Sequence, residues 1–127
     1  MPKHVLDASA VLAVVLGEEG KEEILSMTDM PLVSTVNMGE ARSKLADYGL
    51  TRLQIDASLS MMDMEIIDFD DEQSKLSGDL RNETRDIGLS LGDRACLALA
   101  MTFGADALTT DKIWSKLSLP ISIRQLR

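Results

Sequence analysis

Apolar residues along this chain fall into two alternating patterns. Short β-branched or aliphatic runs, 4–7 "HVLD", 31–34 "PLVS", 65–69 "EIIDF", 106–110 "DALTT" and 120–124 "PISIR", read as buried strands. Between them lie longer stretches with helical spacing. Residues 9–17 form an apolar helix ending at Gly17, and 20–28 a second helix on the same excursion. In 35–49, Met38, Ala41, Leu45 and Tyr48 line one helical face before Gly49 stops it. A Met- and Leu-rich helix covers 51–64, and a polar, exposed one covers 70–88. Residues 91–104 are apolar nearly all round, which predicts a buried helix, and 111–117 form a short last helix. Strands separated by helices, with no hairpin signature, predict an α/β fold on a parallel sheet. Neither a repeat nor a linker interrupts residues 1–127, so one domain is expected.

Within the first apolar run stands a carboxylic acid, Asp7, a residue type poor in strand interiors and costly to bury unpaired. Ligand sites of open α/β sheets lie outside the carboxyl ends of the strands. Asp7 sits at such an end, and Asp111 directly follows the strand 106–110. Glu40 lies in the second turn of the helix after 31–34, and Asp93 in the first turn of helix 91–104. If those strands are neighbours, all four carboxylates converge, and Asp7 faces a polar cleft while its neighbours fill the core. Each acid also has a purely local reading. Asp7 and Asp111 can cap the helices that follow them, Glu40 can pair with Lys44, and Asp93 can close a capping box with Ser90. Asp70, Asp71 and Glu72 read as first-turn dipole partners of a polar helix. His4 has no evident partner, and Trp114 and Cys96 read as packing residues.

Charge and composition narrow the chemistry. A net charge of −8 argues against a sequence-independent nucleic-acid binder but suits an enzyme that gathers carboxylates around divalent cations. The single cysteine excludes an internal disulfide and any multi-cysteine zinc site. No stretch approaches the roughly 18 apolar residues of a membrane span. A cytoplasmic protein with no membrane association is expected. Clustered carboxylates without His or Cys favour Mg²⁺ or Mn²⁺ over zinc.

"VLDASAVLAVVLGEEG", "STVNMGEARSKL", "GLSLGDRACLALAMTFGADALTTDKIW" and the terminal "ISIRQLR" resemble PIN-domain proteins, specifically VapC-type toxins of toxin–antitoxin pairs, nearly end to end. The resemblance implies a PIN-like three-layer sandwich whose five-stranded parallel sheet has the order 3-2-1-4-5. It carries the family's acidic quartet onto Asp7, Glu40, Asp93 and Asp111, as catalytic and metal-binding residues, with supporting hydroxyls on Ser9 and Thr109. It further implies a homodimer, a VapB-type antitoxin that occupies the cleft, and an Mg²⁺- or Mn²⁺-dependent ribonuclease using metal-activated water. Arg42, Lys44, Arg85, Arg94 and Lys112, with Lys116, stand near the same rim and can hold RNA phosphates; solvated helix faces and ion pairs are the alternative. A different metal-dependent phosphoester hydrolase and a non-catalytic PIN-like binding module are the competing functions. The Asp-x-Asp-x-Thr/Val pattern of one phosphatase class is absent, since "ASAV" follows Asp7.

Overall fold

Five short parallel strands organise the computed structural model, which describes residues 4–127. They are β1 (His4–Leu6), β2 (Leu32–Ser34), β3 (Glu65–Ile67), β4 (Asp106–Thr109) and β5 (Ile123–Gln125), in the order β3-β2-β1-β4-β5. The helices are α1 (Ala8–Val15), α2 (Lys21–Leu25), α3 (Thr35–Asp47), α4 (Arg52–Ser60), α5 (Asp71–Thr84) and α6 (Leu91–Phe103), followed by a 3-10 helix at Lys112–Lys116.

Strand alternation produces the three layers. Val5, Leu32 and Ala107 are paired neighbours that pack to one side, into a core completed by Leu80 of α5 and Cys96, Leu97 and Leu99 of α6. Their successors Leu6, Val33 and Leu108 point the other way, onto Ala10, Val11, Met38 and Leu45 of α1 and α3. A period of two along each strand therefore feeds both sheet faces, which is why the middle positions of the central strands are apolar in succession. Trp114 anchors the first core at 1% exposure, as its place in the sequence suggests. Gly104 closes α6 at φ +62°, a left-handed conformation that glycine adopts without a Cβ penalty.

The elements follow the expected order, with shortened ends. Residues 20–28 yield only the five-residue α2, bounded by Gly20 at φ +103° and by Ser26, whose hydroxyl donates to Glu23 O. The Met-rich helix expected over 51–64 stops at Ser60, leaving Met61 exposed. The last strand is displaced from 120–124 to Ile123–Gln125. Pairing with β4 explains this: Ala107 N donates to Ser122 O and Leu126 N to Thr109 O, whereas Pro120 has no N–H for a ladder. Among the described residues, no helix is long and apolar enough to cross a membrane.

Candidate active site

β1 and β4 lie side by side in parallel, so both chains leave the sheet at the same end, and Asp7 N donates to Leu108 O at 3.2 Å. Asp7 is the N-cap of α1, only 5% exposed, and its Oδ1 accepts from Ala10 N at 2.8 Å and from the Ser9 hydroxyl at 2.6 Å. The fully buried Thr109 hydroxyl donates to Asp7 Oδ2 at 2.5 Å and accepts from Asp111 N at 3.0 Å. Thr110 N in turn donates to Ser9 Oγ at 2.9 Å. Ser9 and Thr109 thus link the two strand exits that carry Asp7 and Asp111. Asp111 itself is exposed and caps the 3-10 helix through Ile113 N at 3.0 Å.

The other two acids come from the flanking helices. Asp93, at the third position of α6, closes the capping box: Ser90 N donates to Asp93 Oδ2 at 3.0 Å and Asp93 N to Ser90 Oγ at 3.1 Å. Glu40 does not pair with Lys44 among the described ion pairs. Its Oε1 accepts at 2.9 Å from Nδ2 of Asn37, one turn earlier on α3, and the same Nδ2 donates at 2.9 Å to Gly92 O at the start of α6. A Cβ on Gly92 would collide with the Glu40 carboxylate, so that carboxylate lies directly against the first turn of α6.

Burial raises the Asp7 carboxyl to about 6; the Ser9, Thr109 and Ala10 hydrogen bonds pull it down, and the Asp93 charge pushes it up. Beneath them Cys96, fully buried, has its thiol pushed up by desolvation and by the charges of Asp7, Asp93 and Glu40 together. Asp7, Asp93 and Asp111 thus each cap a helix, and Asp7, Asp93 and Glu40 share the surroundings of Cys96. Each carboxylate is engaged near its own element, and among the described residues no three His, Cys, Asp or Glu side chains close on a single point as they stand.

Three of the six candidate cations are occupied. Arg42 pairs with Asp56 at 2.7 Å, Arg85 donates to Asn82 Oδ1, and Arg94 reaches across to Ser77 O of α5 at 3.0 Å. Lys44, Lys112 and Lys116 are exposed. Away from these acids, His4 is gripped from both sides, with Nδ1 at 3.0 Å from Asp29 and Nε2 at 3.1 Å from Arg124.

The PIN domain family model matches residues 4–119, a span that includes all four acids. The chain belongs to the PIN domain family. The fold also superposes on solved PIN-type structures. VapBC2 of Rickettsia felis, solved with a DNA fragment from its promoter, is 17% identical with a TM-score of 0.76 and 98% of each chain covered. VapC20 of Mycobacterium tuberculosis, described as a Sarcin-Ricin loop cleaving toxin, is 13% identical with a TM-score of 0.74, over 94% of this chain and 99% of that one. VapBC-5 of the same organism, a member of the VapBC family of toxin-antitoxin systems, is 25% identical with a TM-score of 0.68 and 99% of both covered. No curated protein sequence matches the chain. The strand order of the PIN chain is the one its resemblance implied.

Two residues escaped the sequence reading. Asn37 is 1% exposed and joins Glu40 to α6, yet on paper it is one more polar residue in a helix. Gly92 had a readable signal, because glycine inside a helix costs up to about 1 kcal/mol relative to alanine and invites the question of what approaches it. The candidate donors Asp7, Glu40, Asp93 and Asp111 all present carboxylate oxygen, with no His nitrogen or Cys sulfur among them. That chemistry fits a hard divalent cation, which would also offset the cost of ionising the buried Asp7.

Proposed function

We propose that this PIN protein is the toxin of a VapBC-type toxin–antitoxin pair and cleaves RNA phosphodiester bonds with the help of Mg²⁺ or Mn²⁺. The observation that carries this reading is the Asp7 carboxylate, tied through the Thr109 hydroxyl to the backbone N–H of Asp111 at the exits of β1 and β4, with Asp93 and Glu40 on the flanking helices α6 and α3 sharing with it the surroundings of Cys96. Asp7, Glu40, Asp93 and Asp111 would hold a divalent ion, which would supply Lewis-acid chemistry to the phosphate and make water more acidic. The chain's own residues do the rest. The Ser9 and Thr109 hydroxyls hold the Asp7 carboxylate in one orientation, and the α1 N-terminus donates to it through Ala10 N. Exposed Lys44, Lys112 and Lys116 are the candidate cations left to meet RNA phosphates, because Arg42, Arg85 and Arg94 already have partners.

The antitoxin follows from the same reading, supported by likeness to solved VapBC complexes. A basic segment inserted in the cleft would form charge-assisted bonds with the carboxylates. An apolar groove of about 270 Å³ among the ends of α1, α2 and α4, lined by Val14, Val15, Leu25, Ser58, Met61 and Met62, offers a separate second contact for it. Met61 is 86% exposed there, and methionine adapts to varied partners. A homodimer in the cytoplasm belongs to this reading as well.

An RNA cleavage assay tests it. Wild type should cut RNA with Mg²⁺ or Mn²⁺ and stop in EDTA, while Asp7→Asn should lose at least about a hundredfold in rate, roughly 2.7 kcal/mol of barrier. Hydrolysis of small phosphoesters without RNA cleavage would favour a different hydrolase. Antitoxin binding with no hydrolysis at all would favour a non-catalytic module.

A further inference from the structure

We propose that Asn37 and Gly92 form a two-part seat that positions the Glu40 carboxylate, and that this seat sets how tightly the acidic cleft holds a divalent cation. The inference rests on the cation-dependent reading above and adds two positioning residues to it. Asn37 is buried, and its Nδ2 forks between Glu40 Oε1 and Gly92 O, each at 2.9 Å. Two acceptors on one side decide which way round the amide stands. Flipped, it would turn its own oxygen on a carboxylate and a carbonyl. One side chain therefore ties α3 to α6 and aims Glu40 at the same time. The arrangement leaves Asn37 Oδ1 buried and unpartnered, a cost that an apolar residue at this position would avoid.

Gly92 supplies the other half. Its φ is not among the positive ones, so the backbone does not require glycine there, and helix propensity alone would favour alanine. What excludes a side chain is Glu40, whose carboxylate fills the space a Cβ would take. The obstructed group is the end of a flexible side chain, so Gly92→Ala displaces Glu40 and leaves the α6 backbone in place. Removing either half of the seat frees the carboxylate to swing away from Asp7 and Asp93.

The test uses the full chain and Mn²⁺ alone, by titration calorimetry, with thermal melts in EDTA alongside. Gly92→Ala should bind Mn²⁺ at least about tenfold more weakly while melting near the wild-type temperature, because the better helix former in α6 offsets the lost Asn37–Glu40 hydrogen bond. Asn37→Ala should also weaken Mn²⁺ binding, at a lower melting temperature. In a Glu40→Ala background neither substitution should weaken Mn²⁺ binding further, which separates positioning of Glu40 from general loosening of the fold. Wild-type affinity in Gly92→Ala, or losses that multiply with that of Glu40→Ala, would overturn the seat and leave the nuclease reading standing. A wild type that neither binds Mn²⁺ nor cleaves RNA would overturn the nuclease reading, and the seat's role in holding a cation with it.

Discussion

Replacing Asp7 by Asn should stabilise the metal-free protein, although Asp7 caps a helix and accepts three hydrogen bonds. The folded-state carboxyl titrates near 6 against the usual 3.8, chiefly because burial disfavours its charge. Folding therefore favours the protonated form. This contribution to stability is fully present below about pH 4, fades as pH rises through about 6, and is absent above that. At about 1.4 kcal/mol per pH unit, the ionised fold forgoes about 3 kcal/mol at pH 7.5. Asn has the shape of the neutral acid and keeps an oxygen for Ala10 N and the Ser9 hydroxyl. Its NH₂ faces Thr109, which donates to Asp7 in the wild type and would have to accept instead. Turning that bond round costs about 1 kcal/mol, leaving a net gain of about 2 kcal/mol. For a chain of this size that is a rise of about 5–10 °C in Tm. Calorimetric melts of both proteins in EDTA, from pH 4 to 7.5, should show the gap open with rising pH and vanish or reverse near pH 4. A mutant that melts lower at pH 7.5, or an equal gap at every pH, would refute the reasoning.

Further outcomes follow from neighbouring residues. Mn²⁺ affinity should fall as pH drops below about 6, where a proton competes for Asp7, and calorimetric titration at pH 5 and pH 7 measures the difference. Asp93→Asn should lower Tm in EDTA by a few degrees, since it weakens a capping box worth about 1 kcal/mol, whereas the Asp93 charge is the smallest of the influences on Asp7. Thr109→Val leaves Asp111 N without its acceptor and Asp7 without a donor, costing about 1–3 kcal/mol in urea unfolding. Gly104→Ala forces a Cβ into the left-handed region at φ +62° and should cost about 1 kcal/mol, visible as a lower urea midpoint.

Residues near one another in sequence declared their roles in advance. The apolar alternation of the strands, the helix faces and the Ser90–Asp93 capping box are all legible because the groups involved meet within three or four positions. Asp7 and Asp111 could be placed at strand exits from pattern alone, and with parallel neighbours that was enough to expect convergence. Tertiary structure decided what those carboxylates touch. The Thr109 hydroxyl reaches Asp7 across 102 positions, Asn37 reaches Gly92 across 55, and Arg124 reaches His4 across 120. Hydrophobic periodicity is a property of each segment, but a hydrogen bond between segments depends on sheet order and helix docking, which no local pattern encodes. The raised pKa of Asp7 is of the same kind. Its largest cause is burial, and burial exists only once α1, β1, β4 and α6 have closed around the side chain.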